Sequence, residues 1–346
     1  MKQKLLVLCG GQSSEHIVSR MSCTSVLKNL DREKYDITLV GITTEGVWYI
    51  LDQEQEDLAK DTWLDNSREV QGVFDLLKSQ DVALPVLHGL YGEDGTIQGL
   101  FELTKIPYVG CRVLGSSVSM DKIYTKKIVD TVGVPQVPSV YVKKRYDGKI
   151  VVIDNQFEEI EDVESHIVET LGIPCFIKAS RSGSSMGCYR CDRREDLMEK
   201  LEEASQYDKH IVVEKCVNCI ELETAVLGND DVIVSRVGQI LPHGEFYTFE
   251  SKYEDEESKT CIPALVDIEI QEKIREYAVK VFKAVDGHGM SRVDFFLDKD
   301  SNQIYFNEIN TIPGFTKISM YPQLMNDLGI GYSELLERLI TLAFQR

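Results

Sequence analysis

The sequence predicts an α/β protein of two or three domains, and three observations carry that reading. The chain has 346 residues, more than one ordinary core organises. Short apolar runs alternate along it with segments whose apolar residues recur at helical spacing. The first run, Lys4 to Cys9, enters Gly10-Gly11 and then a helical segment. That strand–glycine loop–helix order belongs to open α/β sheets. With 43% hydrophobic and 27% charged residues the chain is globular. Its net charge of −19, from 38 basic and 57 acidic residues, argues against non-specific nucleic-acid binding. No apolar run reaches a membrane span, and the N-terminal run is too short for a signal peptide. A soluble, cytoplasmic protein is expected.

Each element has its own reason. Gly10-Gly11 permits a sharp turn. Ser13 or Ser14 is placed to cap the helix running to about Leu30, with Glu15 and His16 in its first turn. No G-x-G-x-x-G fingerprint is present, so the loop is no dinucleotide signature. Asp36 to Ile42 and Val47 to Leu51 read as strands, and 54–77 as a polar loop and helix region. The buried strand Val82 to Leu87 ends in His88-Gly-Leu-Tyr-Gly-Glu-Asp-Gly95. Open α/β sheets bind ligands in such loops at strand C-termini. Glu93 and Asp94 also stand where they can cap a helix from Thr96 to Leu103. A short strand, Ile106 to Gly110, and a linker over 115–119 put a domain boundary near residue 115.

A helix from Asp121 to Val132 stops at Gly133. The strand Ser139 to Lys143, a charged peripheral stretch over 147–159 and a helix near 161–171 follow. The strand Pro174 to Lys178 then enters Ala179-Ser-Arg-Ser-Gly-Ser-Ser-Met-Gly187. Amides and hydroxyls of such a small-residue loop suit phosphate groups, although the G-K-[ST] ending of a P-loop is missing. A helix over 194–205 and strands over 211–217, 221–227 and 232–237 come next. The aromatic segment 244–253, with one lysine and the acidic run 254–257 behind it, reads as a lid. Ile270, Ile274, Tyr277, Ala278, Val281, Phe282 and Val285 mark a helix, and Tyr332, Leu335, Leu336, Leu339, Ile340 and Ala343 mark the last one. Residues 315–322 between them read as a loop.

The stretch from Gly289 to Gly314 reads as two strands around the turn Asp298–Gln303. Side chains alternate along a strand, so Arg292 and Asp294 share one face of the first, and Glu308 and Asn310 one face of the second. If those faces coincide, two carboxylates and an amide oxygen converge beside a guanidinium. Such hard oxygen ligands suit Mg²⁺ holding phosphates, and the arginine suits negative charge developing on a reacting carbonyl. Two C-x-x-C pairs, Cys188/Cys191 and Cys216/Cys219, stand apart. The 24 residues between them, 192–215, exceed zinc-ribbon spacing, and free thiols are expected.

At this point the chain resembles the D-alanine–D-alanine ligases of the ATP-grasp superfamily. Seven blocks carry the resemblance in order: 10–19, 88–95, Met120-Asp-Lys122, Lys178 with 183–187, 246–253, 291–296 and 307–314. The resemblance implies a three-domain ATP-grasp α+β architecture with an N-terminal Rossmann-like parallel sheet, divided as 1–115, 116–210 and 211–346. It implies ATP-dependent joining of two D-alanines through an acyl phosphate, for peptidoglycan precursors. The cofactors implied are ATP and two Mg²⁺, with Mn²⁺ as a substitute. Neither nucleic acid nor membrane is implied as a partner, and the assembly expected is a homodimer.

Residue by residue, the resemblance implies that Glu15, assisted by Ser184, orients the ammonium of the first D-alanine. Val18 is implied at that subsite, and His88 near the carboxylate. Lys122, Lys178 and Lys252 are implied on ATP phosphates, with Ser185, Phe246 and Asn307 also at the nucleotide. Glu214, Lys215, Val217 and Glu221 are implied at adenine and ribose, and Asp294, Glu308 and Asn310 as metal ligands. Arg292 and the amide of Gly314 are implied as oxyanion stabilisers, Ser319 and Met320 as the second subsite, and Tyr253 as the lid residue linking to Ser184 and Glu15. Ala179 departs from the family's usual proline. The alternative within this class is a D-alanine–D-serine or D-alanine–D-lactate ligase. Met320, which offers a second-substrate hydroxyl no partner, favours D-alanine. An idle nucleotide-binding protein and a zinc-dependent nucleic-acid binder are the readings from other classes.

Overall fold

The computed structural model describes residues 2–52, 57–241 and 259–345. Three sheets organise them. In the first, the order is Arg68–Glu69, Trp48–Ile50, Tyr35–Ile42, Gln3–Gly10, Val82–Pro85. Gln3–Gly10 runs parallel to both neighbours, and its Leu5 to Leu8 are wholly buried. The two outer strands beside Tyr35–Ile42 are antiparallel. The sheet is therefore parallel at its centre, as expected, and antiparallel along one edge. The reason is the connection 43–47, too short for the crossover a parallel pair needs.

The second sheet is antiparallel throughout, in the order Cys188–Cys191, Cys175–Ala179, His210–Lys215, Ser139–Lys144, Ile150–Ile153, Glu159–Ile160. Helices Val163–Leu171 and Leu197–Ala204 bury their apolar sides against it. Its edge hairpin has the serine-rich loop 180–187 as its turn. The third sheet runs Lys259–Cys261, Gly238–Leu241, Cys219–Gly228, Gly289–Asp298, Ile304–Asn310, also antiparallel. Helix Ile268–Ala284 covers one face, where Ile274, Ala278, Val281 and Phe282 meet Val293, Phe295, Phe306 and Ile309. Alternation leaves the polar residues of those strands on the opposite face.

One core joins the first and third sheets. Val7 and Leu84 pack in the same cluster as Leu227, Met290, Tyr321, Leu336 and Leu339. Three local expectations change. Residues 115–119 lie in a helix, Val113–Met120, not a linker. Gly115 is there because a Cβ would stand 2.7 Å from the Asp286 carbonyl oxygen. The charged stretch 147–159 contains the buried strand Ile150–Ile153, whose β-branched run outweighs its flanking charges. Residues 315–322 include the start of helix Met320–Asp327, which holds Pro322 in its first turn, where the missing N–H is harmless. The nine cysteines are free thiols, five of them buried.

Candidate active site

Strand pairing builds the site. Arg292 lies across from Asn310, and Asp294 across from Glu308. The register slips between Asp294 and Phe295, whose partners are Glu308 and Phe306. Asn307 is thus the extra residue of a bulge, a device that re-aims a side chain. Its Oδ1 accepts from Lys178 Nζ at 3.4 Å, across the seam between the second and third sheets.

The guanidinium of Arg292 grips Asp294 with two bonds, Nε to Oδ1 at 2.8 Å and Nη2 to Oδ2 at 2.6 Å. Glu223 Oε2 lies 2.9 Å from Nε. Burial works against the arginine's charge, but Asp294 and Glu223 outweigh it and raise its pKa. Asn310 Nδ2 donates to Asp294 Oδ2 at 3.0 Å. Glu308 faces Lys122 Nζ at 3.4 Å, and the same ammonium donates to the Ser182 carbonyl at 2.9 Å. Asp121 caps the helix Lys122–Asp130 by accepting from Ile123 N at 3.1 Å and so fixes that lysine's base.

A second charged centre lies behind the first. Glu214 bridges Lys178 at 2.6 Å and Lys126 at 2.7 Å, with its side chain 5% exposed. Burial pushes the Glu214 carboxyl up, and the two ammonium groups more than reverse it, bringing it down to about 2. Lys178 also sits over the Phe296 ring, 5.6 Å from its centroid. Val217 and Glu221 are half-buried near this seam, while Lys215 is exposed and its amide donates to the Pro138 carbonyl at 3.0 Å.

The serine loop reaches the first sheet. Ser184 Oγ donates to Glu15 Oε1 at 2.6 Å. Ser184 and Ser185 hold φ of 50° and 61°, left-handed values that non-glycine residues seldom adopt. Glu15 is the N-cap residue of helix His16–Asn29, with no side-chain cap bond. Neither serine caps that helix. Ser13 Oγ instead donates to the His88 carbonyl at 2.6 Å and accepts from Glu15 N at 3.2 Å. Gly89 and Gly183 make room for the Glu15 carboxylate: a Cβ on either would stand 2.7 or 2.6 Å from Oε2.

His88 is buried, and both ring nitrogens are engaged. Nδ1 contacts the Ile312 carbonyl at 3.0 Å and Nε2 contacts Ser22 Oγ at 3.0 Å. A carbonyl only accepts, so Nδ1 carries the proton and Nε2 accepts from the hydroxyl. Burial lowers this imidazole's pKa, which suits the neutral tautomer. Glu93 is not a helix cap. Asp94 serves Thr96 N at 2.9 Å, while Glu93 accepts from Gly89 N at 2.8 Å and Ile312 N at 3.1 Å. Burial first, and the nearby Glu15 second, push the Glu93 carboxyl up to about 8.

A cavity of about 140 Å³ collects these parts. Its wall includes Glu15, His88, Lys122, Ser184, Arg292, Glu308, Asn310, Gly314, Ser319 and Met320. Gly314 is packed tightly: a Cβ would be 2.8 Å from Ser319 Oγ. That hydroxyl accepts from Thr316 N at 3.0 Å. Asp294 lies against the wall through Arg292 and Asn310. Lys178, Ser185, Glu214, Lys215, Val217, Glu221 and Asn307 are not part of the wall, and neither is Val18, buried within its helix. Phe246, Lys252 and Tyr253, and with them the lid, lie outside the described residues. Sequence reasoning misses Lys126, Glu223 and Ser22. Only Glu223 carries a signal, an acidic residue inside an apolar strand.

Known proteins of one family resemble the chain over its whole length. Residues 4–111 match the family described as D-ala D-ala ligase N-terminus, and residues 128–341 the family described as D-ala D-ala ligase C-terminus. The chain is 46% identical over 351 residues to a D-alanine–D-alanine ligase of Clostridium novyi, spanning 100% of this chain and 99% of that one. It is 44% identical over 372 residues to that of Acetivibrio thermocellus, spanning 100% and 96%. Among solved structures it is similar to the VanG D-Ala:D-Ser ligase from Enterococcus faecalis, with TM-score 0.86, 37% identity and coverage of 99% and 100%. It is equally similar to the D-alanine–D-alanine ligase from Coxiella burnetii, with TM-score 0.86, 34% identity and coverage of 100% and 94%. The fold is accordingly ATP-grasp, and the chain belongs to the D-alanine–D-alanine ligase family.

Proposed function

We propose that the protein joins two D-alanines, using ATP, through an acyl phosphate, as a step toward peptidoglycan precursors. The observation that carries the reading is the meeting of Arg292, Asp294, Glu308 and Asn310 with Lys122 at the cavity that Glu15 and Ser184 also border. Asp294, Glu308 and Asn310 would hold two Mg²⁺, or Mn²⁺ in its place. Two carboxylates and an amide oxygen on adjoining strand positions are a fitting donor set. When bound, the ions neutralise phosphate charge.

The chain's own residues supply the rest. Lys122 and Lys178 bring positive charge to the phosphates, since phosphoryl transfer is mostly positioning and charge neutralisation. Glu15, fixed by Ser184, holds the first ammonium, and His88 lies beside the carboxylate. Arg292, with the Gly314 amide, meets the negative charge that forms when the second amine attacks. Glu214, Lys215, Val217, Glu221, Ser185, Phe246 and Asn307 serve the nucleotide. Val18 backs the first subsite, Lys252 and Tyr253 belong to the lid, and Ser319 and Met320 line the second subsite. The division into 1–115, 116–210 and 211–346, a homodimeric assembly and a cytoplasmic location complete the proposal. Among the described residues no helix is long and apolar enough to cross a membrane.

Phosphate release from ATP with Mg²⁺ and D-alanine tests the reading directly. Release that does not depend on D-alanine contradicts it. The VanG likeness favours D-serine as a second reading. Against it, Met320 offers no hydroxyl partner, and the Ser319 hydroxyl is already engaged by Thr316. D-serine is expected to be used less efficiently than D-alanine as second substrate, by up to about 10²-fold. A preference for D-serine or D-lactate in the same assay overturns the subsite argument. A further expectation concerns Gly183→Ala. The new Cβ would stand 2.6 Å from Glu15 Oε2, the far end of a flexible side chain. The fold should persist while KM for the first D-alanine rises and KM for ATP stays constant. An unchanged D-alanine KM removes Glu15 from that subsite.

A further inference from the structure

Arg292 occupies the middle of three strands. Its cross-strand partner on Cys219–Gly228 is Ala225, whose methyl offers no polar contact. The guanidinium therefore leans toward the adjoining row, where Glu223, Asp294 and Glu308 stand side by side on neighbouring strands. Two carboxylates there share its Nε: Asp294 Oδ1 accepts the proton at 2.8 Å, and Glu223 Oε2 lies 2.9 Å from the same nitrogen. The Glu223 side chain is only 9% exposed and Asp294 10%. One buried cation needs one carboxylate for neutrality. A second beside Glu308 adds repulsion, unless the first has another use.

Asp294 has that other use. On the reading given under Proposed function, on which this inference rests, its oxygens would hold a divalent ion. Both Arg292 bonds would then weaken together, and the guanidinium would need another anchor. We propose that Glu223 is the positioning residue of Arg292: it would accept the Nε–H hydrogen bond when Asp294 engages metal, keeping the guanidinium in place and letting Asp294 go. Glu223 borders the same cavity, and its effect in this scheme passes through the guanidinium of Arg292.

The test combines turnover with a binding measurement that needs no turnover. Glu223→Gln keeps the shape and removes the charge. Its kcat for D-alanine-dependent phosphate release should fall about 10- to 100-fold, the usual effect of losing a supporting partner at a metal site. KM for ATP should hold. Mn²⁺ binding in the presence of ADP, followed by the electron paramagnetic signal of free Mn²⁺, should weaken about tenfold, because Arg292 now competes for Asp294. In an Arg292→Met background the same Glu223→Gln change should leave Mn²⁺ binding unaltered. An equal loss in both backgrounds means that Glu223 acts on the ion directly, and overturns the proposal. So does an unchanged kcat. If Glu223→Gln does not yield folded protein, Glu223→Asp, which keeps the charge but shortens the reach, carries the same measurements with intermediate losses expected. Wild-type protein that binds no Mn²⁺ with ADP removes the metal reading itself, whereas wild-type binding with an unaffected Gln variant removes only the role of Glu223.

Discussion

Glu308→Gln is expected to reduce D-alanine-dependent ADP formation by more than about a hundredfold, while the melting midpoint stays close to that of the wild type. The two halves of that expectation have separate causes. Glu308 stands across from Asp294, and a neutral amide there removes one of the two carboxylates facing the phosphates. Loss of a mere supporting partner at a metal site already reduces activity by about 10- to 100-fold, and a ligand should exceed that. Stability depends little on the same side chain. Its ion pair with Lys122 is 3.4 Å long, with the two side chains 26% and 17% exposed. That spacing is long for an ion pair, and an amide in place of the carboxylate also relieves its repulsion with Asp294 directly across. Steady-state kinetics with a thermal melt separates the two effects. Near-normal turnover contradicts the metal assignment, and a collapsed melt shows that the residue is structural.

Glu214→Gln is expected to have its largest effect on stability. The carboxylate is buried between Lys126 and Lys178, at 2.7 and 2.6 Å. Removing it leaves two enclosed ammonium groups without their shared counter-charge. Breaking a buried pair in this way is worth about 3–5 kcal/mol, on the order of 10 °C in melting midpoint. The pH dependence follows in sign. Glu214 titrates at about 2 when folded, against an ordinary 4.5. Its contribution is therefore complete above 4.5 and lost as pH falls from there toward about 2. Melts of the two proteins should differ most at neutral pH and converge at the acid end. A constant difference across that window contradicts the assigned pairing.

How much of this is legible in the sequence depends on how local the cause is. Arg292, Asp294, Glu308 and Asn310 can be read as one cluster because strand alternation has a period of two and a polar turn joins the strands. The bulge that turns Asn307 toward Lys178 leaves no such trace, since it depends on the pairing of two strands. Glu93 illustrates a competing local rule. An acidic residue just before a helix ordinarily bonds its first amides, yet here only Asp94 does so, at Thr96 N, and tertiary packing draws Glu93 inward to the amides of Gly89 and Ile312. Lys126 looks like any helix-surface lysine until strand His210–Lys215 brings Glu214 over it. The antiparallel edge of the first sheet follows from the short connection 43–47, readable in principle from spacing but hidden by the parallel expectation of the resemblance.

The account turns on a carboxylate oxygen attacking the terminal phosphate before any peptide bond forms. D-alanine labelled with oxygen-18 in its carboxylate, incubated with the protein, ATP and Mg²⁺, tests that most directly. One labelled oxygen should leave with each phosphate released, in step with dipeptide formation, and mass spectrometry of the phosphate reads it. Phosphate carrying no label while dipeptide accumulates would contradict the account at its centre.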